Sequence, residues 1–483
     1  MTHVVRERHQ VLEHACQTAL VKTESENIAL QASADGRDES AAKTISKFER
    51  LSRLAVIGLI VIASLNAAYS LRGLYADGSY YFWNELSSQS FFTYPTRIIA
   101  QIVTQIPVVA AMHLGIDNVV ILARFQSFGV ASIPMILWVI SLVFLLRKPY
   151  FWAVVALFAV VFLNAGMVAV GEHNLAYALV VLNVVLLYRR FPGSWAAALL
   201  LLSALLLLLS YEALVYLGPL LAVIAAINLI RVKRDPNASR GASGLMIALI
   251  CIYSISAVLG GLFILFPRDS NNLRGASDLL WPLLNDHQLV ISAAIGGMAL
   301  VLSLLTNKRG QAVGVFLISA CCLLLLDRQL WAAPWMHYGA RILVGIALFA
   351  AIASFILIEY RPLHRNRPTG QRARANYTWI VAASLLAAQL VSFTYSTNGY
   401  AGWLTSFDRQ VDAATGETQF DPAAFGPRDS SLYVWPWTNP FLSMLFRSNA
   451  GRGMILSPGS SLPSSDLLPA PLPSRFYQDG PLF

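Results

Sequence analysis

Apolar runs of about 18 or more residues recur along this chain, separated by short turns rich in arginine and lysine. A helix needs about 20 such residues to cross a hydrocarbon layer of roughly 30 Å. The repetition therefore restricts the chain to an all-α polytopic membrane protein. Composition agrees: 56% of the 483 residues are hydrophobic and only 13% are charged. A soluble domain carries roughly 25% charged residues, so an ordinary globular protein is excluded. The net charge of +9 would suit a nucleic-acid binder if it were spread over one face. It sits instead in the turns between apolar runs, which is the mark of membrane orientation.

The first 50 residues are polar and of mixed charge, with no apolar core of the kind a cleaved signal carries. They read as a cytoplasmic N-terminal extension, 1–50, with a flexible stretch near 31–40. Lys43, Lys47, Arg50 and Arg53 precede a first span at about 54–72. That span is expected to act as an uncleaved anchor with the N-terminus in the cytoplasm.

A long first extracytoplasmic loop, 73–125, follows. It contains an apolar segment, 97–115, with Arg97, Gln101, Gln105 and His113 spaced by four, four and eight. This spacing aligns polar groups on one helical face and predicts an interfacial helix. Further spans are expected at about 126–146, 151–170, 175–188, 195–209, 213–230, 244–266, 288–306, 312–326, 341–358 and 376–395. The turns Arg147-Lys148, Arg189-Arg190, Arg231 to Arg234, Lys308-Arg309 and Arg361 to Arg374 are nearly free of acids. They fall on one side if 97–115 does not cross, giving about eleven transmembrane helices. The bundle then covers 51–395. An extracytoplasmic C-terminal segment, 396–483, ends in an extended stretch rich in Pro and Ser.

Cys16, Cys251, Cys321 and Cys322 show neither metal-ligand spacing nor a disulfide framework. No P-loop, dinucleotide fingerprint or nucleophile elbow stands in a convincing context. The span interiors hold almost no ionisable residues, which argues against an ion-coupled transporter. The outer ends instead collect acids, histidines and arginines, which points to a reaction centre at the membrane–water boundary.

Such a centre suits a lipid-linked substrate, whose phosphate lies at headgroup depth and needs Arg or His partners. An acceptor hydroxyl needs a carboxylate base. Asp77 is the base candidate, with Glu85 as a second acid. Arg341 and His337, with Arg268 and Arg328, are the phosphate candidates. Tyr80, Tyr81, Trp83, Trp331 and Trp335 offer faces for sugar rings, and Glu172, His173 and Glu212 are acceptor-side candidates. Plainer readings stand beside these. Aromatics at span ends anchor helices at the interface, Arg97 and His113 snorkel to headgroups, and Asp77 caps the loop helix.

The run Ala76-Asp77-Gly78-Ser79-Tyr80-Tyr81 after the first span, opening a long outer loop with a helix at 97–115, resembles the GT-C superfamily of polyprenyl-phosphate-sugar glycosyltransferases. The resemblance covers 54–395 as architecture and only a few residues as motif. It implies a catalytic acid at Asp77, an inverting transfer and a lipid-phosphate sugar donor. The acceptor would be a glycan, lipid or protein of the cell envelope. The superfamily commonly has an Asp-Glu or Glu-Asp pair where this chain has Asp77-Gly78. No metal ligand set is assigned, and a divalent metal stays open. Two other readings are carried. One is an envelope-glycan polymerase or ligase; the other is a lipid-linked-sugar flippase or transporter. Arg-over-Lys and Ala/Leu-rich usage points to a GC-rich bacterium, hence its inner (plasma) membrane, with the C-terminus extracytoplasmic. No nucleic-acid partner is expected.

Overall fold

The structure, a computed structural model, describes residues 47–148, 150–163, 172–188, 194–235, 240–266, 336–360, 371–414, 417–419, 433–434, 438–446, 454–456 and 472–476. The expected spans at 288–306 and 312–326, most of the N-terminal extension and much of the tail lie outside these residues.

The chain divides into Met1–Val56 and Ile57–Phe483. In the first unit, Arg53 pairs with Glu49 one helical turn away, at 2.6 Å. The described residues of the second unit are almost wholly helical. The helices in chain order begin with α1 (Lys47–Tyr69), α2 (Asp77–Ser88) and α3 (Ile98–His113). Next come α4 (Val119–Phe144), α5 (Phe151–Leu163), α6 (Glu172–Tyr188) and α7 (Ser194–Leu207). Then follow α8 (Leu214–Arg234), α9 (Arg240–Leu265), α10 (Met336–Tyr360), α11 (Gln371–Ala413) and the short α12 (Asn439–Leu445). One parallel strand pair joins β1 (Glu417–Gln419) to β2 (Met454–Leu456).

Among the described residues, four helices are long and apolar enough to cross a bilayer: 49–69, 119–144, 214–234 and 241–265. Five more apolar helices are shorter, including 151–163, 172–188 and 194–207. The chain is a helical membrane protein. The described residues do not reach the expected count of eleven spans by length and hydropathy.

Two boundaries differ from the hydropathy reading. Helix α4 starts at Val119, not near 126, because Asn118 caps it: its side chain accepts the Ile121 amide at 3.0 Å. The first loop therefore closes at 118. Helix α11 runs for 43 residues and passes well beyond 395. Its polar end stays helical because Tyr400, Trp403, Leu404, Phe407 and Val411 form one buried stripe at helical spacing.

Helix α3 turns Gln101, Thr104 and Gln105 inward, while Ile106 is 49% exposed. Gln105 clamps Phe92, donating to its carbonyl at 2.7 Å and accepting its amide at 2.9 Å. The buried face is mixed, because Val108, Val109 and Met112 are buried beside these polar groups while His113 at the helix end is exposed. Where α3 crosses α4, α4 forms a π-helical turn at Phe128–Ser132. A Cβ on Gly129 would lie 1.7 Å from the Thr104 carbonyl oxygen. Gly129→Ala is expected to cost at least about 1–3 kcal/mol by overpacking. The check is a lowered thermal midpoint in detergent; an unchanged midpoint would mean that the two backbones are free to separate.

Ring contacts sort the helix ends. Tyr150 before α5, Tyr188 at the end of α6 and Phe355 late in α10 meet at 5.2–5.7 Å. Arg147-Lys148 and Arg231 to Arg234 fall at helix ends of the same sense. At the opposite end, the loop helix α2 packs into an aromatic and aliphatic core with α11 and the C-terminal segment. There the buried Arg72 lies over the Tyr75 ring at 5.1 Å. Burial lowers its pKa to about 10, against the raising effect of Tyr75, Tyr400 and Tyr433.

Candidate active site

Helix α2 opens at Asp77. The residue in the cap position is Ala76, not Asp77, and its side chain makes no capping bond. Ala76 has φ 51° and ψ −127°, a region that a residue with a Cβ occupies at a cost of order 1–3 kcal/mol. The chain thus enters α2 through a strained residue and presents a half-buried carboxylate at a helix N-terminus, a favourable place for negative charge.

Asp77, Tyr81 and Glu85 stand four residues apart on one row of α2, and each has a different environment. The buried Tyr81 hydroxyl donates to Glu172 Oε1 at 3.0 Å. Burial, then the charges of Glu172 and Asp77, push the Tyr81 phenol well above its usual range, so it remains a donor. The same Glu172 oxygen accepts from Gln101 Nε2 at 3.0 Å. Its other oxygen lies 3.5 Å from an Arg97 Nη.

Arg97 is the hub. It stands just before α3, and its Nε donates to Glu212 Oε1 at 3.0 Å, in the turn before α8. Its guanidinium also lies 5.5 Å from the Tyr211 ring centroid. Burial works against its charge, but Glu172 and then Glu212 outweigh burial and hold its pKa above the ordinary value. One cation thus ties the first loop to α6 and α8. His173 is fully buried, its ring 6.0 Å from both Tyr177 and Tyr211.

An aromatic cluster covers the loop side. Tyr80 meets Phe92 at 5.4 Å and Phe441 of α12 at 4.8 Å. The hydroxyls of Tyr94 and Tyr80 are hydrogen-bonded, and burial with that bond raises the Tyr94 phenol; Asp77 adds to the shift. Helix α10 closes the other side. A Cβ on Gly345 would lie 2.1 Å from the Tyr216 hydroxyl and 2.7 Å from that of Tyr177. His337 and Arg341 belong to the first turns of α10.

Of the residues expected from sequence, Asp77, Tyr80, Tyr81, Glu172, His173 and Glu212 come together here. Arg268, Arg328, Trp331 and Trp335 lie outside the described residues. Trp83 is no sugar platform: it is 3% exposed and packed in the core around α2. Glu85 is corrected too. It is fully buried and accepts from Gln126 Nε2 at 3.1 Å. Burial raises its pKa well above the ordinary carboxyl value, partly offset by Gln126, and its complete burial makes it a packing residue. Sequence reasoning missed Arg97 as a site residue, together with Gln101, Tyr94, Tyr177, Tyr211 and Tyr216. The signal for Arg97 and Gln101 was their shared face with Gln105. Among the described residues, no group of three or more His, Cys, Asp or Glu is placed to hold a metal ion.

Glu85 gives a pH prediction. Its folded pKa lies above the unfolded value of about 4.5. Its stabilising effect is therefore full below that value and is lost as pH rises toward the folded pKa. Glu85→Gln cannot ionise and keeps the amide contact. The variant is expected to match wild type near pH 4 and to exceed it in thermal midpoint at pH 7–8. Equal midpoints across that range would show that Glu85 is not held neutral.

No protein-family model matches the chain, and neither curated proteins nor solved structures give a match.

Proposed function

We propose that this protein is an integral-membrane glycosyltransferase of GT-C type, moving a sugar from a polyprenyl-phosphate donor to an envelope glycan, lipid or protein on the extracytoplasmic face. One observation carries the reading. A half-buried Asp77, entered through a strained Ala76, stands at the same bundle end as the Arg97–Glu172–Glu212 hub. In this reading about eleven spans form the bundle, and its acidic end faces outward from a bacterial inner membrane.

The acceptor hydroxyl gives its proton to Asp77 and its oxygen attacks the anomeric carbon. The bond from that carbon to the donor phosphate oxygen breaks, and polyprenyl phosphate leaves with inverted configuration at the sugar. Arg97 is committed to two carboxylates and so is not the phosphate ligand. That role goes to Arg341, with His337, Arg268 and Arg328. Tyr80 offers an aromatic edge to the acceptor, and Glu172, Glu212 and His173 shape the wall behind it.

The experiment is transfer in membranes from a panel of labelled polyprenyl-phosphate sugars to crude envelope acceptor, with wild type and Asp77→Asn at matched expression. Transfer by wild type and its loss in the variant support the reading. Failure of wild type with every donor overturns it.

A further inference from the structure

The arginines at the acidic end are not equivalent. Arg97 and Arg475 each have a carboxylate within 4 Å. Arg124 has none among the described residues. It is half-buried in the first turns of α4, and its Nε is shielded from solvent without donating a hydrogen bond. Its guanidinium lies 4.6 Å from the ring centroid of Tyr69, the last residue of α1.

The two helices run antiparallel here, since Ser132 Oγ donates to the Ser64 carbonyl at 2.9 Å further along. Around Arg124 their surface is apolar and open: Tyr69 is 68% exposed, Leu65 57%, Ile121 41% and Phe125 37%. A half-buried cation at the end of a span is costly without an anion, and a surface of this composition faces lipid rather than water. The anion available at the end of a membrane span is a lipid phosphate. A guanidinium receives it through two parallel N–H donors. The Tyr69 ring backs the cation from the other face.

We propose that Arg124 holds a bilayer phospholipid by its phosphate, with an acyl chain lying along Leu65 of α1 and Phe125 of α4. The site is separate from the Arg97 hub, and the inference stands whether or not the chain transfers sugars.

The test is native mass spectrometry of delipidated protein in detergent, titrated separately with phosphatidylglycerol, a polyprenyl monophosphate and inorganic phosphate. Wild type is expected to retain one phosphatidylglycerol at least about tenfold better than Arg124→Gln. Arg124→Lys should fall between them, since an ammonium keeps the charge but loses the two-pronged geometry. Tyr69→Leu leaves the arginine in place and should weaken retention, which keeps the test open if the glutamine variant folds poorly. Equal retention by wild type and Arg124→Gln overturns the proposal. So does displacement of the lipid by inorganic phosphate, or retention of the polyprenyl phosphate alone.

Discussion

Asp77→Asn is expected to lower glycosyl transfer by about 10²–10⁴-fold, the range a positioned general base supplies. Asparagine keeps the volume and the helix start but cannot take the acceptor's proton. A thermal midpoint separates this loss from any change in stability, since the helix N-terminus favours the Asp77 charge by about 0.3–1 kcal/mol. The informative measurement is kcat/KM against pH beside a thermal midpoint in the same detergent. Wild type should lose activity on the acidic side as the base takes up a proton, and the residual activity of the variant should lack that limb. Wild-type rates in the variant would remove Asp77 from the chemistry. The remaining carboxylates at this end would not easily replace it, since Glu172 and Glu212 are both tied to Arg97.

Arg97→Met should have the largest effect on stability, with a loss of about 3 kcal/mol. Breaking a buried ion pair from one side costs roughly 3–5 kcal/mol, because the surviving charge is left without compensation. The low end applies, since the Arg97 and Glu212 side chains each keep 20% exposure, while Glu172 keeps only 3%. The triple variant Arg97→Met, Glu172→Gln, Glu212→Gln separates charge from packing. Removing all three charges leaves none stranded, so most of the lost stability should return. Chemical denaturation in mild detergent measures both. No recovery in the triple variant would show that Arg97 acts through the packing of its stem and its contact with Tyr211, not through its charge.

Much of this was legible in the chain, and the gaps have physical causes. Hydropathy finds the helices because apolar runs need lipid or a core, and here each described expected span falls on a helix. It misplaces ends wherever tertiary contacts outvote composition. Helix α11 continues past 395 on a stripe led by Tyr400, Trp403 and Phe407, in a stretch whose mean polarity suggests a loop. Asn118 before two valines was a readable cap that sets the start of α4.

At the candidate site, the residue types at one bundle end were readable and their pairing was not. Arg97 reads as a snorkelling cation because its partner Glu212 lies 115 residues away. The face it shares with Gln101 and Gln105 was visible, but an amphipathic helix in lipid can bury its polar side, and periodicity alone does not choose. Glu85 looked like a second catalytic acid because its type is right. Only its complete burial against Gln126 turns it into a packing residue.

The way the first loop is closed has a consequence for biosynthesis. Leu472 and Phe476 are buried in the same core as Phe82 and Leu86 of α2, and Arg475 donates to Gln89 at 2.7 Å across 386 residues of sequence. Ribosomes add roughly 5–20 residues per second, so the loop waits about 20–80 s between its own synthesis and the arrival of its last packing partners. Throughout that interval the aromatic face of α2 is incomplete, and the nascent chain is a natural client for insertion and folding factors at the membrane. The candidate site can then be finished only after translation has passed residue 476, so activity and quality control would report on the same late step.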